Sequence, residues 1–274
     1  MRTASILIRT KNEARSLGST LDAVFSQSVP PHEVFVIDSG SRDRTLEIAA
    51  RYPVRIIKLS PKGWSYPRAL NIGAREATGE FIVCLSAHCP PARSDWLANL
   101  LRHFDDPKIA AVWGPNHYRG SALPEPEAPI RQEPGAYGYA NRKWGMANAN
   151  SALRRSLWYA FPFDESMPAT EDKAWGREAM DRGYSLVYDP AAGVWHERHS
   201  AIRSFRRSRA VRAGYEIMFP GRKESIWVEV RDLGRLILRK LVFHARTHKA
   251  SNLLHDARRL PSALAALLGK VMRR

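Results

Sequence analysis

Three short polar segments of this chain each follow an apolar run, and their side chains are suited to gripping an anionic ligand. Arg9-Thr10-Lys11-Asn12-Glu13 follows residues 5–9, Asp38-Ser39-Gly40-Ser41-Arg42-Asp43 follows 34–38, and Ser86-Ala87-His88-Cys89-Pro90-Pro91 follows 81–86. In an open α/β sheet, ligands bind beyond the carboxyl ends of the strands, so the three segments are expected on one rim. No G-x-G-x-x-G follows the first run and no Walker lysine loop occurs, which argues against a nicotinamide enzyme or a P-loop kinase.

The elements that position this rim follow from hydrophobic spacing. Residues 5–9 (SILIR), 34–38 (VFVID), 54–59, 81–86 (FIVCLS) and 109–114 read as buried strands. Between them lie helical patterns: Leu17, Leu21, Val24 and Phe25 share one face, residues 45–51 form a second helix, and Pro67 suits the first turn of a third. Gly79 is expected to terminate that third helix, and Ser94 to cap a fourth carrying Trp96, Leu97, Leu100, Leu101 and Phe104. Such alternation predicts an α/β domain with a mostly parallel sheet covered by helices on both faces. Proline-rich residues 120–138 break the pattern and read as a mobile loop. Helices near 151–159 and 172–182 and a strand at 185–189 are expected beyond it. We divide the chain into a catalytic domain, 1–200, and a helical extension, 201–274.

Charge supports that division. Of 43 Lys+Arg and 27 Asp+Glu in 274 residues, 18 basic and 5 acidic fall in 201–274 (+13), leaving 25 − 22 = +3 for 1–200. In the extension Ile226, Val230, Leu233, Ile237 and Leu241 recur at helical spacing among Arg231, Arg235, Arg239 and Lys240, and Trp227 and Phe243 could anchor in an interface. A basic amphipathic helix suits an anionic membrane surface; packing on the catalytic domain, or an oligomer interface, is the competing reading. Nucleic acid ranks last as a partner because no base-stacking platform accompanies the charge. The opening MRTASILIRTKNEA has too short an apolar run for a signal peptide, and no stretch reaches the roughly 20 apolar residues of a membrane span. Cys84 and Cys89 form neither a disulfide framework nor a zinc spacing. A cytoplasmic protein, peripheral on the inner face of the plasma membrane, is expected.

In order along the chain, SILIRTKNEA, VIDSGSRDRT, RALNIGAREATGEFIVCLSAHCPP, FDESMPATEDKAW and GYSLVYDPAAGVWHERHS resemble the successive signatures of family 2 glycosyltransferases, over roughly residues 4–200. The resemblance implies a GT-A fold, a nucleoside-diphosphate sugar donor (UDP- or dTDP-sugar favoured) and inversion at the anomeric carbon, with a saccharide or lipid-linked saccharide as acceptor. It matches Asp38 to the aspartate that holds the nucleobase, a place where an acid also serves simply to open a turn. It sets Thr10 and Glu13 near the nucleoside, although an acid in a helix's first turn is favoured in any case. Arg68 and Asn71 fall beside the diphosphate; an exposed helical arginine is the alternative for Arg68.

Where the family carries D-x-D, this chain has Ser86-Ala87-His88. His88 then either binds the metal or hydrogen-bonds the diphosphate directly. Mn2+ tolerates imidazole better than Mg2+, and we expect one of these two ions. His196 matches the family's metal- or phosphate-contacting histidine, with His199 as the alternative. Glu171-Asp172 matches the family's E-D pair. Inverting transfer needs one base to take the acceptor's proton, and we assign it to Asp172 with Glu171 in support. Asn148 and Asn150 are expected to line the acceptor floor. Trp175 is expected either against a sugar ring or in the core. Two rivals remain: a polymerising synthase, disfavoured because it would usually carry spanning helices, and a catalytically silent nucleotide-binding scaffold.

Overall fold

A computed structural model describes residues 2–60, 62–118, 122–137, 145–196 and 201–221. Its centre is an eight-stranded sheet. Strands β1 (Ala4–Thr10), β2 (Glu33–Asp38), β3 (Arg55–Lys58) and β4 (Phe81–Ser86) run parallel. Helices α1 (Leu17–Phe25), α2 (Thr45–Ala49) and α3 (Tyr66–Glu76) connect them. Ile6, Leu7 and Ile8 are all fully buried, as expected of a strand covered on both faces.

Beyond β4 come α4 (Trp96–Leu101), β5 (Ile109–Trp113), β6 (Asn116–Tyr118), β7 (Ile130–Gln132), β8 (Asn150–Arg154), α5 (Arg155–Ala160), α6 (Glu171–Asp181), β9 (Ser185–Tyr188) and β10 (Val194–His196). The order across the large sheet is β3-β2-β1-β4-β8-β5-β9-β7, with β8 and β7 antiparallel to their neighbours. β10 and β6 form a separate parallel pair.

Four local expectations fail, each for a tertiary reason. Residues 150–154 are not the start of a helix but strand β8, inserted between β4 and β5 with Asn150, Ser151, Ala152 and Leu153 all buried. Hydrogen bonding to two strands at once overrides the helical preference of alanine and leucine. The 120–138 stretch contains β7, paired with β9 at the sheet edge; only three residues long and close to Pro129 and Pro134, it has the form that edge strands favour. Gly79 does not end α3, which stops at Glu76 with Ala77 extended. Gly79 instead lets the chain pass against β1: a Cβ there would stand 2.7 Å from Ser5 Oγ and 2.8 Å from its nitrogen. The cap residue of α4 is Asp95, not Ser94. At α3 the expectation matches the structure, with proline in the first turn and Ser65 Oγ accepting the Arg68 N–H (3.3 Å).

The chain divides into two compact units, Met1–Glu197 and Arg198–Arg274. Within the second, α7 (Ala201–Met218) is described; residues 222–274, including Trp227, Phe243 and the amphipathic repeat, lie outside the described residues. No helix among the described residues is long and apolar enough to cross a membrane.

Candidate active site

Parallel pairing in register brings the carboxyl ends of β1, β2 and β4 to one edge: Thr10 lies opposite Asp38, and Arg9 opposite Ser86. β8 runs the other way, so its first residue, Asn150, reaches the same edge opposite Leu85.

The loops after β1 and β2 are locked together. Asn12 adopts φ 54°, a left-handed conformation that asparagine tolerates. Its N–H donates to Ser41 Oγ and its Oδ1 accepts the Arg42 N–H, both at 2.8 Å. The Glu13 N–H donates to Thr45 Oγ1 (2.8 Å). Asp38, buried, accepts the N–H groups of Gly40 and Ser41 at 3.0 Å and the Ser41 hydroxyl. It therefore shapes the turn, while standing beside Thr10 at the rim. Thr10 Oγ1 is buried and has no hydrogen-bond partner among the described residues. A buried hydroxyl left in that state calls for a ligand group or water to satisfy it.

The loop after β4 faces β10. His88 Nδ1 lies 3.1 Å from Glu13 Oε1, and the His88 and His196 rings meet edge to face with centroids 4.9 Å apart. Cys89, fully buried, joins them: the ligand atoms of His88, Cys89 and His196 all lie within 4.8 Å of one another. Imidazole nitrogen and sulfur do not suit Mg2+, which takes oxygen ligands. The donor set fits a divalent ion that accepts nitrogen. His199 lies outside the described residues.

A third group gathers at the N-terminus of α6. Glu171, 3% exposed, lies 3.5 Å from Arg9 Nη1 and accepts from Asn148 Nδ2 (3.4 Å). The Asn148 N–H donates to Asp172 Oδ2 (3.1 Å), and Arg9 Nη2 reaches the Asn148 carbonyl (3.4 Å). Burial, and then the neighbouring charge of Asp172, push Glu171 above the usual carboxylate range, while Arg9 acts in the opposite direction. The Arg9 guanidinium also lies over the Tyr66 ring, 4.9 Å from its centroid. Its Nε is buried without a partner among the described residues. Sequence reasoning put Arg9 on the rim but gave it no role of its own, because its carboxylate partner lies 162 residues away. It placed Cys89 on the same rim but not with His88 and His196, because His196 is distant in sequence.

Several expected site residues prove to be committed to the fold. Asn71 Nδ2 donates to the Phe163 carbonyl (2.8 Å) and to Glu165 (3.1 Å), and its Oδ1 accepts from Trp158 Nε1 and the Phe163 N–H (3.0 and 3.1 Å). With all four bonds made, it has no capacity left for a diphosphate. Asn150 bridges Trp96 Nε1 (2.8 Å) and the Ala192 carbonyl (2.7 Å), fully buried. Trp175, 3% exposed, stacks on Phe161 and donates to its carbonyl (2.8 Å); of its two readings, the core one holds. All three are buried and hydrogen-bonded to groups of the protein interior. Arg68 is exposed in the first turn of α3, its Nη1 3.4 Å from the Gly63 carbonyl. Ser86 is half-buried and anchors the β4 loop through its N–H to the Ala149 carbonyl (3.1 Å). Cys84 is a sealed core thiol on β4 that burial pushes up to about 12.

The sequence model of the family described as Glycosyl transferase family 2 matches residues 5–158. The O-antigen chain rhamnosyltransferase RfbN of Salmonella typhimurium is 28% identical over 218 residues, 73% of this chain and 68% of that protein. Glycosyltransferase AglE of Haloferax volcanii is 26% identical over 202 residues, 67% of this chain and 63% of that protein. Poly-beta-1,6-N-acetyl-D-glucosamine synthase of Staphylococcus epidermidis is 24% identical, and the chain spans 55% of its length. Among solved structures, the mannosyltransferase PcManGT from Pyrobaculum calidifontis, in complex with GDP-Man and Mn2+, superposes with a TM-score of 0.65 at 19% identity, covering 99% of this chain and 86% of that one. TarS from S. aureus in complex with UDP gives 0.58 at 17% identity, covering 81% and 67%. At these identities the structural likeness is one of fold. With its family signatures arrayed along one edge of a mostly parallel sheet, the chain belongs to glycosyl transferase family 2 and is a glycosyltransferase of the GT-A fold.

Proposed function

We propose that the chain moves a sugar from a nucleoside-diphosphate donor, with inversion, to a saccharide or lipid-linked saccharide acceptor in cell-surface glycan assembly. The observation that carries this reading is the meeting at one sheet edge of Asp38 and Thr10, the Glu13–His88 pair, and the Arg9–Glu171–Asn148–Asp172 group. Asp38 accepts a ring N–H of the base, for which UDP- or dTDP-sugars are favoured, and Thr10 lies beside it. Arg68 meets a phosphate oxygen, and Ser86 and His88 face the diphosphate. Asp172 takes the acceptor hydroxyl's proton as it attacks the anomeric carbon opposite the leaving diphosphate. Glu171 and Asn148 hold that carboxylate in place. His88 and His196 would hold a divalent ion, whose charge would offset that of the diphosphate.

The names of the relatives support glycan assembly, and the bound ligands of the neighbours leave the base to experiment, since one carries GDP-Man and the other UDP. Thermal unfolding with UDP-, dTDP-, GDP- and ADP-sugars tests the donor. A hundredfold excess over Kd stabilises by about 2.7 kcal/mol, a rise in Tm of about 5–10 °C. We expect it with a UDP- or dTDP-sugar. No shift with any nucleotide would remove the transferase reading of the site.

The basic extension, 201–274, we assign to an anionic membrane surface that brings the enzyme to a lipid-carried acceptor on the cytoplasmic side. The full chain should co-sediment with phosphatidylglycerol vesicles and stay in solution with phosphatidylcholine vesicles. Equal behaviour with both would end that assignment.

A further inference from the structure

A sugar ring presents two kinds of surface, hydroxyl groups around its edge and an apolar C–H face. A flat aromatic side chain complements the second. Trp175, the ring expected from sequence, is packed in the core. The ring that stands against the carboxylate group is Tyr66. It is 38% exposed, and a single exposed tyrosine is by itself ordinary. Its neighbours are not.

The Arg9 guanidinium lies over the Tyr66 ring, 4.9 Å from its centroid, at the distance of a cation–π contact. The same guanidinium reaches Glu171 Oε1 (3.5 Å) and the Asn148 carbonyl (3.4 Å). Asn148 in turn donates its N–H to Asp172. Trp64 meets Tyr66 edge to face, with centroids 4.6 Å apart. Ser65 caps α3 by accepting the Arg68 N–H, and Pro67 sits in the first turn, so the ring is mounted on the fixed start of a helix. A tyrosine held in this way loses little freedom when a ligand settles on it. Two buried polar atoms stand at the same group without a hydrogen-bond partner among the described residues: Arg9 Nε, and Thr170 Oγ1 on the residue directly before Glu171. An aromatic surface beside unsatisfied polar atoms suits a ring that carries both a C–H face and hydroxyl groups.

We propose that Tyr66, backed by Arg9 and braced by Trp64, is the stacking platform for the donor's transferred sugar and a determinant of donor specificity. Position selects the donor's sugar over the acceptor's. Tyr66 shares the first turn of α3 with Arg68, the residue proposed to meet a phosphate oxygen. Its ring also touches the cation that holds the Glu171–Asn148–Asp172 group. A sugar bonded to the diphosphate, with its anomeric carbon turned to Asp172, passes the ring that joins these two places. This deepens the proposed function and rests on it for the direction in which the donor lies.

Isothermal titration of the full chain separates the sugar from the nucleotide. The probes are whichever of the UDP-, dTDP-, GDP- and ADP-sugars most raises the Tm of the unmodified chain, and the nucleoside diphosphate of that sugar alone. Tyr66→Ala should weaken binding of the nucleotide sugar by about 5–10-fold and of the nucleoside diphosphate by less than about twofold. Tyr66→Phe should recover most of the loss, because the ring face and not the hydroxyl makes the contact. Since the side chain is partly exposed, Tyr66→Ala should lower Tm by no more than about 4 °C. Should Tm fall further, Tyr66→Leu, which keeps apolar bulk without the flat face, is titrated in its place, with the same selective loss expected. Equal weakening of both probes would make Tyr66 a nucleotide contact, and unaltered binding of both would take it off the donor's path. Either result overturns the proposal and leaves sugar transfer standing. Failure of the unmodified chain to bind any probe would instead remove the donor reading itself, and the platform with it.

Discussion

Asp172→Asn is expected to lower kcat by about 10²–10⁴-fold while leaving the nucleotide-induced rise in Tm intact. Asp172 receives the Asn148 N–H on Oδ2 (3.1 Å) and the Lys173 N–H on Oδ1 (2.8 Å). Both bonds fix the orientation of the carboxylate at the start of α6. Asparagine keeps the shape and one acceptor oxygen but cannot take a proton, so the loss should fall on kcat rather than on donor affinity. Steady-state kinetics with nucleotide thermal shifts alongside separate the two. An unchanged kcat would move the base from Asp172 to Glu171. The companion change Arg9→Met tests how the pair is poised. Burial and the charge of Asp172 already raise Glu171, and Arg9 opposes them. Removing the cation lifts Glu171 further, so the acid limb of the kcat/KM profile should move to higher pH. A limb that stays put, or moves down, would show that Arg9 does not act through Glu171.

Gly114→Ala should be the most damaging glycine-to-alanine change among the described residues. A Cβ at Gly114 would stand 1.8 Å from the Ala192 carbonyl oxygen, 2.4 Å from its carbon and 3.0 Å from Asn150 Nδ2. Backbone and a buried amide block it, and neither is a flexible tip that can swing aside. The same carbonyl accepts from Asn150 (2.7 Å), which in turn holds Trp96 (2.8 Å). The neighbouring Pro115 carbonyl accepts the Val194 N–H (3.0 Å). Overpacking here should cost about 3 kcal/mol or more, lowering Tm by roughly 6–12 °C. A Tm within about 1 °C of the unmodified chain would show that this junction relaxes freely.

Local sequence determined β1, β2, β4 and the loops that follow them, because each strand is a continuous apolar run and each loop a polar break. A buried parallel strand needs little more than that to be recognised, and its carboxyl end is then a ligand edge by topology. The Asp38 turn and the acidic start of α6 were legible for the same reason: both are set by residues adjacent in sequence. Only the tertiary structure decided the rest. β8 became an antiparallel strand because a slot between β4 and β5 was there to fill. Asn71, Asn150 and Trp175 are of types that could equally bind a ligand or brace a core; their burial and their hydrogen bonds to core groups, not their identity, place them among the packed interior. Cys89 joined two histidines, one its neighbour and the other more than a hundred residues away. Arg9 found its carboxylate partner across a similar distance. Such pairings follow from chain packing, and a single sequence carries no local pattern that encodes them.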